Sequence, residues 1–177
     1  MTKALKLKKL AAITLGGLLT KSRATHFASP TCVTLPPVTV TRNAGSQWDL
    51  RVIATPGHTP TSVSLYDEQR HQLFLGDFMY PGTLYAFLPG ASRGTYLATT
   101  RQLLAMLDPG TRIYTAHMAD PPAPVTAPVL DVADLRALEA TLLNVEQGKV
   151  GGTGFYPRIY SVRGVMTFAT GFPWNNR

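Results

Sequence analysis

The 177-residue sequence has too little cysteine to cross-link itself, because Cys32 is its single cysteine. The same scarcity excludes a zinc site built from paired cysteines. Long apolar runs are also missing: the run LAAITLGGLL at residues 10–19 is far shorter than the roughly 20 residues that span a bilayer. A stable membrane span is therefore not expected. With 45% hydrophobic and 15% charged residues, the composition is that of an ordinary globular protein.

Acidic residues are absent from the first 48 positions, which hold seven basic residues. Residues 49–177 contain ten basic and ten acidic residues, so the net charge of +7 belongs to the N-terminal region. A phosphate-binding surface would need Lys and Arg distributed over the folded domain. The charge distribution therefore predicts no nucleic-acid partner.

Residues 1–32 form a basic and apolar N-terminal segment with the general shape of a secretory signal. However, Lys21 and Arg23 lie where small residues should mark a cleavage site. Export and a cytoplasmic location both stay open, and residues 1–20 could also dock on an anionic lipid surface. The domain itself is predicted to occupy residues 33–177.

Apolar runs and periodicity predict a layered sheet covered by helices, in the order β-β-β-α-β-α. The predicted strands are Leu50–Ala54, Ser62–Tyr66, Gln72–Leu75 and Arg112–Ala116. Two helices are predicted, at residues 92–107 with Ser92 as N-cap and at residues 131–147 with Asp131 as N-cap. Residues 29–41 suit an extended edge strand, and the tail 149–177 suits a final hairpin or strand.

Three side chains with metal-binding chemistry follow predicted strands. His58 comes after LRVIA, Asp77 ends QLFLGD, and His117 follows RIYTA. Strand ends of this kind point into a common crevice where ligands bind. Imidazole nitrogens and a carboxylate oxygen are suitable ligands for Zn²⁺ or Fe²⁺, so we expect the three residues to lie together. Taken singly, each has a simpler explanation as a solvated or hydrogen-bonded residue.

Aromatic and basic residues around Asp77 are candidates for binding a substrate. Tyr80, Tyr85, Phe87 and Arg93 lie in the segment FMYPGTLYAFLPGASR, which follows Asp77 directly. They could line a pocket above the carboxylate, and the alternative is an aromatic loop that only packs on the sheet. His71, in the turn DEQRH, is expected to be solvated.

The segments TPGHTPTSVSLY, LFLGDFMYPG and IYTAH resemble the second half of the metallo-β-lactamase superfamily of hydrolases. The resemblance implies an α+β fold, namely part of an αββα sandwich, over roughly residues 48–147. It also implies that His58 binds a first metal, His117 a second, and Asp77 bridges both as the catalytic carboxylate. The implied cofactor is one or two zinc ions, with iron or manganese as substitutes, and a metal-bound hydroxide would attack an ester, thioester, lactone or amide of a small-molecule substrate.

The superfamily's first metal motif, H-x-H-x-D-H, has no counterpart upstream of His58, where His26 is the single histidine. Three interpretations follow. The chain is an active metallohydrolase with an incomplete ligand set, a truncated non-catalytic remnant or binding module, or a half-domain completed by another chain. In the third case a homodimer, or a chain bearing the missing motif, would supply the absent layer.

Overall fold

The computed structural model describes residues 38–41, 47–118 and 128–171. The predicted N-terminal segment 1–32, which includes His26 and Cys32, and the loop residue Asp120 lie outside the described residues. The described residues form two β-sheets and two helices, so the predicted α+β class is confirmed. No helix in this part of the chain combines the length and apolarity needed to cross a membrane.

The larger sheet has six strands in the order β1-β2-β3-β4-β6-β7. Neighbouring strands are antiparallel except β4 and β6, which run parallel and therefore need a crossover connection. Its strands are β1 (Val38–Thr41), β2 (Gln47–Ala54), β3 (Val63–Asp67), β4 (Gln72–Gly76), β6 (Arg112–Thr115) and β7 (Val129–Leu130).

The smaller sheet has three strands in the order β5-β9-β8. The tail forms the antiparallel hairpin of β8 (Arg158–Arg163) and β9 (Met166–Thr170), which confirms the hairpin expected there. Strand β5 (Thr83–Ala86) adds to β9 in parallel, and Leu84 lies opposite Phe168. The chain between β4 and the first helix thus joins the two sheets.

Both predicted helices are present with their predicted caps. Helix α1 spans Arg93–Met106, and the Ser92 side chain accepts from the Thr95 N–H. Helix α2 spans Val132–Glu146 and begins with a capping box in which Asp131 and Asp134 each accept the other's backbone N–H. Gly148, just after α2, has φ +66°, a left-handed conformation that glycine adopts readily at helix ends.

One apolar core joins the two sheets and the two helices. Leu73 and Ile113 of the large sheet, Phe168 of the small sheet, Leu103 of α1 and Leu138 of α2 are all completely buried in it. Apolar side chains of both helices face this core. The metal-ligand candidates Asp77 and His117 come just after the strands that contribute Leu73 and Ile113.

The opposite face of the large sheet carries a row of apolar side chains. Val52, Leu65, Phe74, Tyr114 and Val129 are successive cross-strand partners on five strands, so their side chains lie on one face. None belongs to the core cluster, and Val129 is 41% exposed. The rings of Phe74 and Tyr114 stack with their centroids 5.3 Å apart.

The main departure from the predicted elements is strand β5, which lies in the segment expected to be a loop. It has four residues and lies between Pro81-Gly82 and Pro89-Gly90, so local sequence favours turns. Its partner strand is distant: the hydroxyls of Thr83 and Thr167, 84 positions apart, are 3.1 Å from each other. Pairing with a strand that is distant in sequence therefore determines that residues 83–86 form β5. Strand β7, which was also not predicted, has only two residues and is too short to give a sequence pattern.

Candidate active site

A cavity of about 380 Å³ is lined by strand β5 and by the segments that follow β4 and β6. All three metal-ligand candidates and two of the four substrate-binding candidates line it. The lining residues are His58, Asp77, Tyr80, Pro81, Gly82, Thr83, Tyr85, Leu88, His117 and Met118.

The loop that carries His58 is held against helix α1. The buried Thr99 hydroxyl donates to the Pro56 carbonyl at 2.7 Å, and the Ser92 N–H donates to the Gly57 carbonyl at 3.2 Å. Gly57 has φ +150°, which residues with a side chain rarely adopt, and it packs directly on the ring of Tyr96. Helix α1 therefore fixes the position of His58 although the two are distant in sequence.

His58 is oriented by the main chain of β5. Its Nδ1 lies 3.2 Å from the Tyr85 carbonyl oxygen, and a carbonyl can only accept, so Nδ1 carries the proton. In a neutral imidazole the other nitrogen, Nε2, then has a free lone pair. A hydrogen bond from one ring nitrogen to a backbone carbonyl is the usual support of a metal-binding histidine.

Asp77 and His117 are adjacent because β4 and β6 are parallel neighbours. The Ala116 N–H donates to the Gly76 carbonyl at 3.1 Å, which continues the parallel pairing to the residues just before the pair. His117 Nε2 then lies 3.0 Å from Asp77 Oδ1, and both side chains are about half exposed. Gly76, with φ +67°, turns the chain at the strand end so that Asp77 leaves the sheet.

The substrate-binding candidates divide into two groups. The Tyr80 ring packs against His117 with centroids 4.8 Å apart, and its hydroxyl donates to the Thr83 carbonyl, so Tyr80 forms a fixed wall. Tyr85 also lines the cavity, with 40% of its surface exposed. Arg93 begins helix α1 and is not among the cavity residues.

His71, expected to be solvated, is exposed and lies 2.9 Å from Asp108 Oδ2.

Behind the His58 loop, Tyr96 is completely buried, and its hydroxyl has no hydrogen-bond partner among the described residues. Burial raises the pKa of this phenol far above its usual value, and Tyr80 and Asp77 raise it further. The hydroxyl therefore stays neutral at all physiological pH values. Tyr96 supports the loop by packing, with its ring 4.7 Å from that of Phe78.

The donor set is chemically suited to a divalent metal. Two imidazoles and one carboxylate match the preferences of zinc and of non-haem iron. Two of these donors are in contact, and the third, which lines the same cavity, is oriented by a backbone carbonyl. In the described part of the chain, no three side chains of ligand type converge closely enough to enclose an ion.

Several cavity features had no signal in the sequence. The Tyr85 carbonyl that orients His58 is a main-chain atom, which any residue type would supply. Thr99 is one of several threonines on α1, and only the fold shows that it reaches Pro56. Leu88 and Met118 line the cavity because they follow β5 and β6, whose positions only the fold shows.

A family model of the metallo-beta-lactamase superfamily matches residues 33–117, a range that contains His58, Asp77 and His117. This segment of the chain belongs to that superfamily. The resemblance noted in the sequence is thereby confirmed.

The curated relatives match over part of their length. The bovine acyl-coenzyme A thioesterase MBLAC2 is 38% identical over 61 residues, which are 34% of this chain and 22% of that protein. The chicken protein of the same name is 32% identical over 96 residues, or 50% of this chain and 32% of its own length. An uncharacterized protein of Aquifex aeolicus is 31% identical over 70 residues, which are 39% of this chain and 33% of that protein. The chain thus spans a third or less of these relatives.

Solved structures with similar folds include TTHA1623 in a di-iron-bound form and ETHE1 from Myxococcus xanthus. The first is 30% identical with a TM-score of 0.39, over 51% of this chain and 39% of that one. The second is 21% identical with a TM-score of 0.45, over 59% of this chain and 43% of that one.

Proposed function

We propose that this chain contributes the cavity of a metal-dependent hydrolase that cleaves an ester, thioester, lactone or amide of a small molecule. The single observation that supports the proposal best is that His58, Asp77 and His117, from three separate segments, line the same cavity. The thioesterase relatives make a thioester the first substrate class to test.

Each residue has a defined part in this proposal. His58 would present Nε2 to the metal, with its ring fixed by the Tyr85 carbonyl. Asp77 would offer a carboxylate oxygen, and His117 would offer Nε2 once it separates from Asp77. When bound, a zinc or iron ion would lower the pKa of water and polarise the substrate carbonyl. Tyr80 and Tyr85 would position the substrate, while Arg93 would act only on a group that extends beyond the cavity.

The test is metal binding and hydrolysis in matched variants. We expect purified protein to contain zinc or iron, and zinc to raise its melting temperature, because an ion that binds the folded state stabilises it by mass action. Asp77→Asn and His117→Asn should lose both the metal and the hydrolysis of a thioester. His71→Asn is the control, since His71 pairs with Asp108 outside the cavity, and it should retain both.

Two results would contradict the proposal. One is a folded wild type that neither binds zinc nor hydrolyses any of the four substrate classes. The other is an Asp77→Asn variant with wild-type metal content and turnover. The first result would favour the non-catalytic binding module, and the second would mean that Asp77 takes no part in metal binding or hydrolysis.

A second candidate is a site completed by donors from another chain, either a second copy or a partner bearing the missing motif. It is favoured by the lack of three converging ligand-type side chains in the described part of the chain. In that case the zinc content per chain should rise with protein concentration, together with the mass measured by light scattering. A monomer with one tightly bound zinc would exclude it.

A further inference from the structure

We infer that the aromatic row Tyr85–Phe87–Tyr156 is an acyl-chain subsite that extends from the cavity and selects substrates with an apolar tail. The inference rests on the proposed function for the identity of the cavity as the reaction site. It names the part of the substrate that lies outside that cavity.

The row begins at the cavity itself. Tyr85 is a cavity residue and its carbonyl accepts from His58, so the row starts at a residue that directly contacts a candidate metal ligand. The ring of Tyr85 lies 5.6 Å from that of Phe87, at 82°. The ring of Phe87 in turn lies 6.0 Å from that of Tyr156, at 71°. Two consecutive edge-to-face contacts thus connect Tyr85, a cavity residue, to Tyr156.

The row is accessible where a ligand would need it. Tyr85 is 40% exposed, Tyr156 is 53% exposed, and the neighbouring Phe155 is 82% exposed. Exposed aromatic groups in one place mark binding surfaces more often than single exposed apolar residues do. Two further apolar residues, Leu88 and Met118, line the cavity mouth and are 41% and 45% exposed.

The charges of the cavity residues disfavour an anionic group as the occupant of the aromatic row. The described cavity residues include Asp77 but no Lys or Arg, so no permanently charged basic side chain there would hold a carboxylate or phosphate tail. An uncharged hydrocarbon chain gains free energy from leaving water for such a surface, in proportion to the area that it buries. The chemistry therefore selects an apolar acyl chain as the group that lies along the row.

Binding of primary amides tests the subsite without requiring turnover. Butanamide and octanamide are neutral and differ by four methylene groups, and any cleavage by the protein would appear in the same NMR spectra as the carboxylate product. On a surface that buries about half of each methylene, the longer amide should bind about tenfold more tightly. Affinities would be measured by NMR titration of the wild type and of the Phe87→Ala and Tyr156→Ala variants. We expect both variants to reduce the ratio of the two affinities to about twofold.

Phe74→Ala is the matched control, because Phe74 also belongs to a ring pair but lies on the opposite face of the large sheet. It should keep the wild-type ratio. A wild type that binds both amides equally would overturn the inference, as would Phe87→Ala and Tyr156→Ala variants that keep the tenfold ratio. The latter outcome would mean that the row only packs the chain around Tyr156 against β5.

The same series measured with thioesters separates this inference from the proposed function. If the protein hydrolyses thioesters, kcat/KM should increase from the butanoyl to the octanoyl substrate in parallel with the amide affinities. If the protein hydrolyses nothing but the amide ratio responds to Phe87→Ala, the subsite stands and the hydrolase proposal fails. If hydrolysis is independent of chain length, the hydrolase proposal stands and the subsite fails.

Discussion

Gly57 precedes His58 at a position where the structure leaves no room for a side chain. Its φ of +150° lies in a region that residues other than glycine occupy only under strain. A Cβ atom at this position would lie 2.9 Å from Tyr96 Cγ and 3.1 Å from Tyr96 Cα. The second of these atoms is backbone of helix α1, so the clash cannot be relieved by turning a side chain. Gly57→Ala is therefore predicted to be strongly destabilising.

The expected loss of stability has two parts. Holding a residue other than glycine in such a backbone conformation costs about 1–3 kcal/mol. Inserting a methyl group into a packed region costs about 1–3 kcal/mol more. A total of about 4 kcal/mol corresponds to a melting temperature roughly 10 °C lower for a chain of this size. If the loop shifts to avoid the clash, His58 moves with it, so hydrolysis should fall as well.

Thermal unfolding followed by circular dichroism measures this loss directly. Gly110→Ala is the control, because a Cβ there meets nothing within 4 Å and the backbone is not in the left-handed region. That variant should melt within about 2 °C of the wild type, or slightly higher, since alanine restricts the unfolded chain. A Gly57→Ala protein that melts as high as the Gly110→Ala protein would refute the packing argument.

Two further variants test the helices. The Asp134 backbone N–H lowers the pKa of Asp131 below its usual value of 3.8, and Arg163 acts in the same direction. The ionised Asp131 cap therefore stabilises the fold fully above pH 3.8. This contribution is lost as the pH falls through the lower pKa that Asp131 has in the folded state. Asp131→Asn, which keeps an accepting oxygen, should therefore show a smaller loss of unfolding free energy between pH 5 and pH 2 than the wild type in urea titrations; equal losses would contradict the assignment. Arg101 Nε donates to Glu139 Oε1 at 3.0 Å and links α1 to α2 at the surface, so Arg101→Gln should cost less than about 1 kcal/mol in the same assay. A loss above about 2 kcal/mol would show that this pair contributes more than an exposed ion pair does.

The candidate site was predictable where local sequence determines strand ends. Asp77 and His117 follow runs whose apolar residues pack in the core, and the parallel pairing of those runs brings the two residues together. The caps Ser92 and Asp131 were equally predictable, because capping depends on residues three positions apart.

The remaining parts of the site depend on long-range pairing. Strand β5 exists because β9 pairs with it, and without β5 neither the Tyr85 carbonyl nor the row of rings could be placed. The contact of Thr99 with Pro56 likewise needs helix α1 to be docked first. Single-sequence patterns carry no information on such pairings, whose partners lie far apart along the chain.

Residue 85 serves the site through two different parts of the same residue. The carbonyl that orients His58 is retained by every amino acid, whereas the side chain changes with each substitution. Under the proposed function, mutations at this position would therefore alter which ligands are accepted while leaving the histidine in place. Residue 85 would then be a position at which specificity could drift during evolution, and at which libraries could be built, without displacing His58.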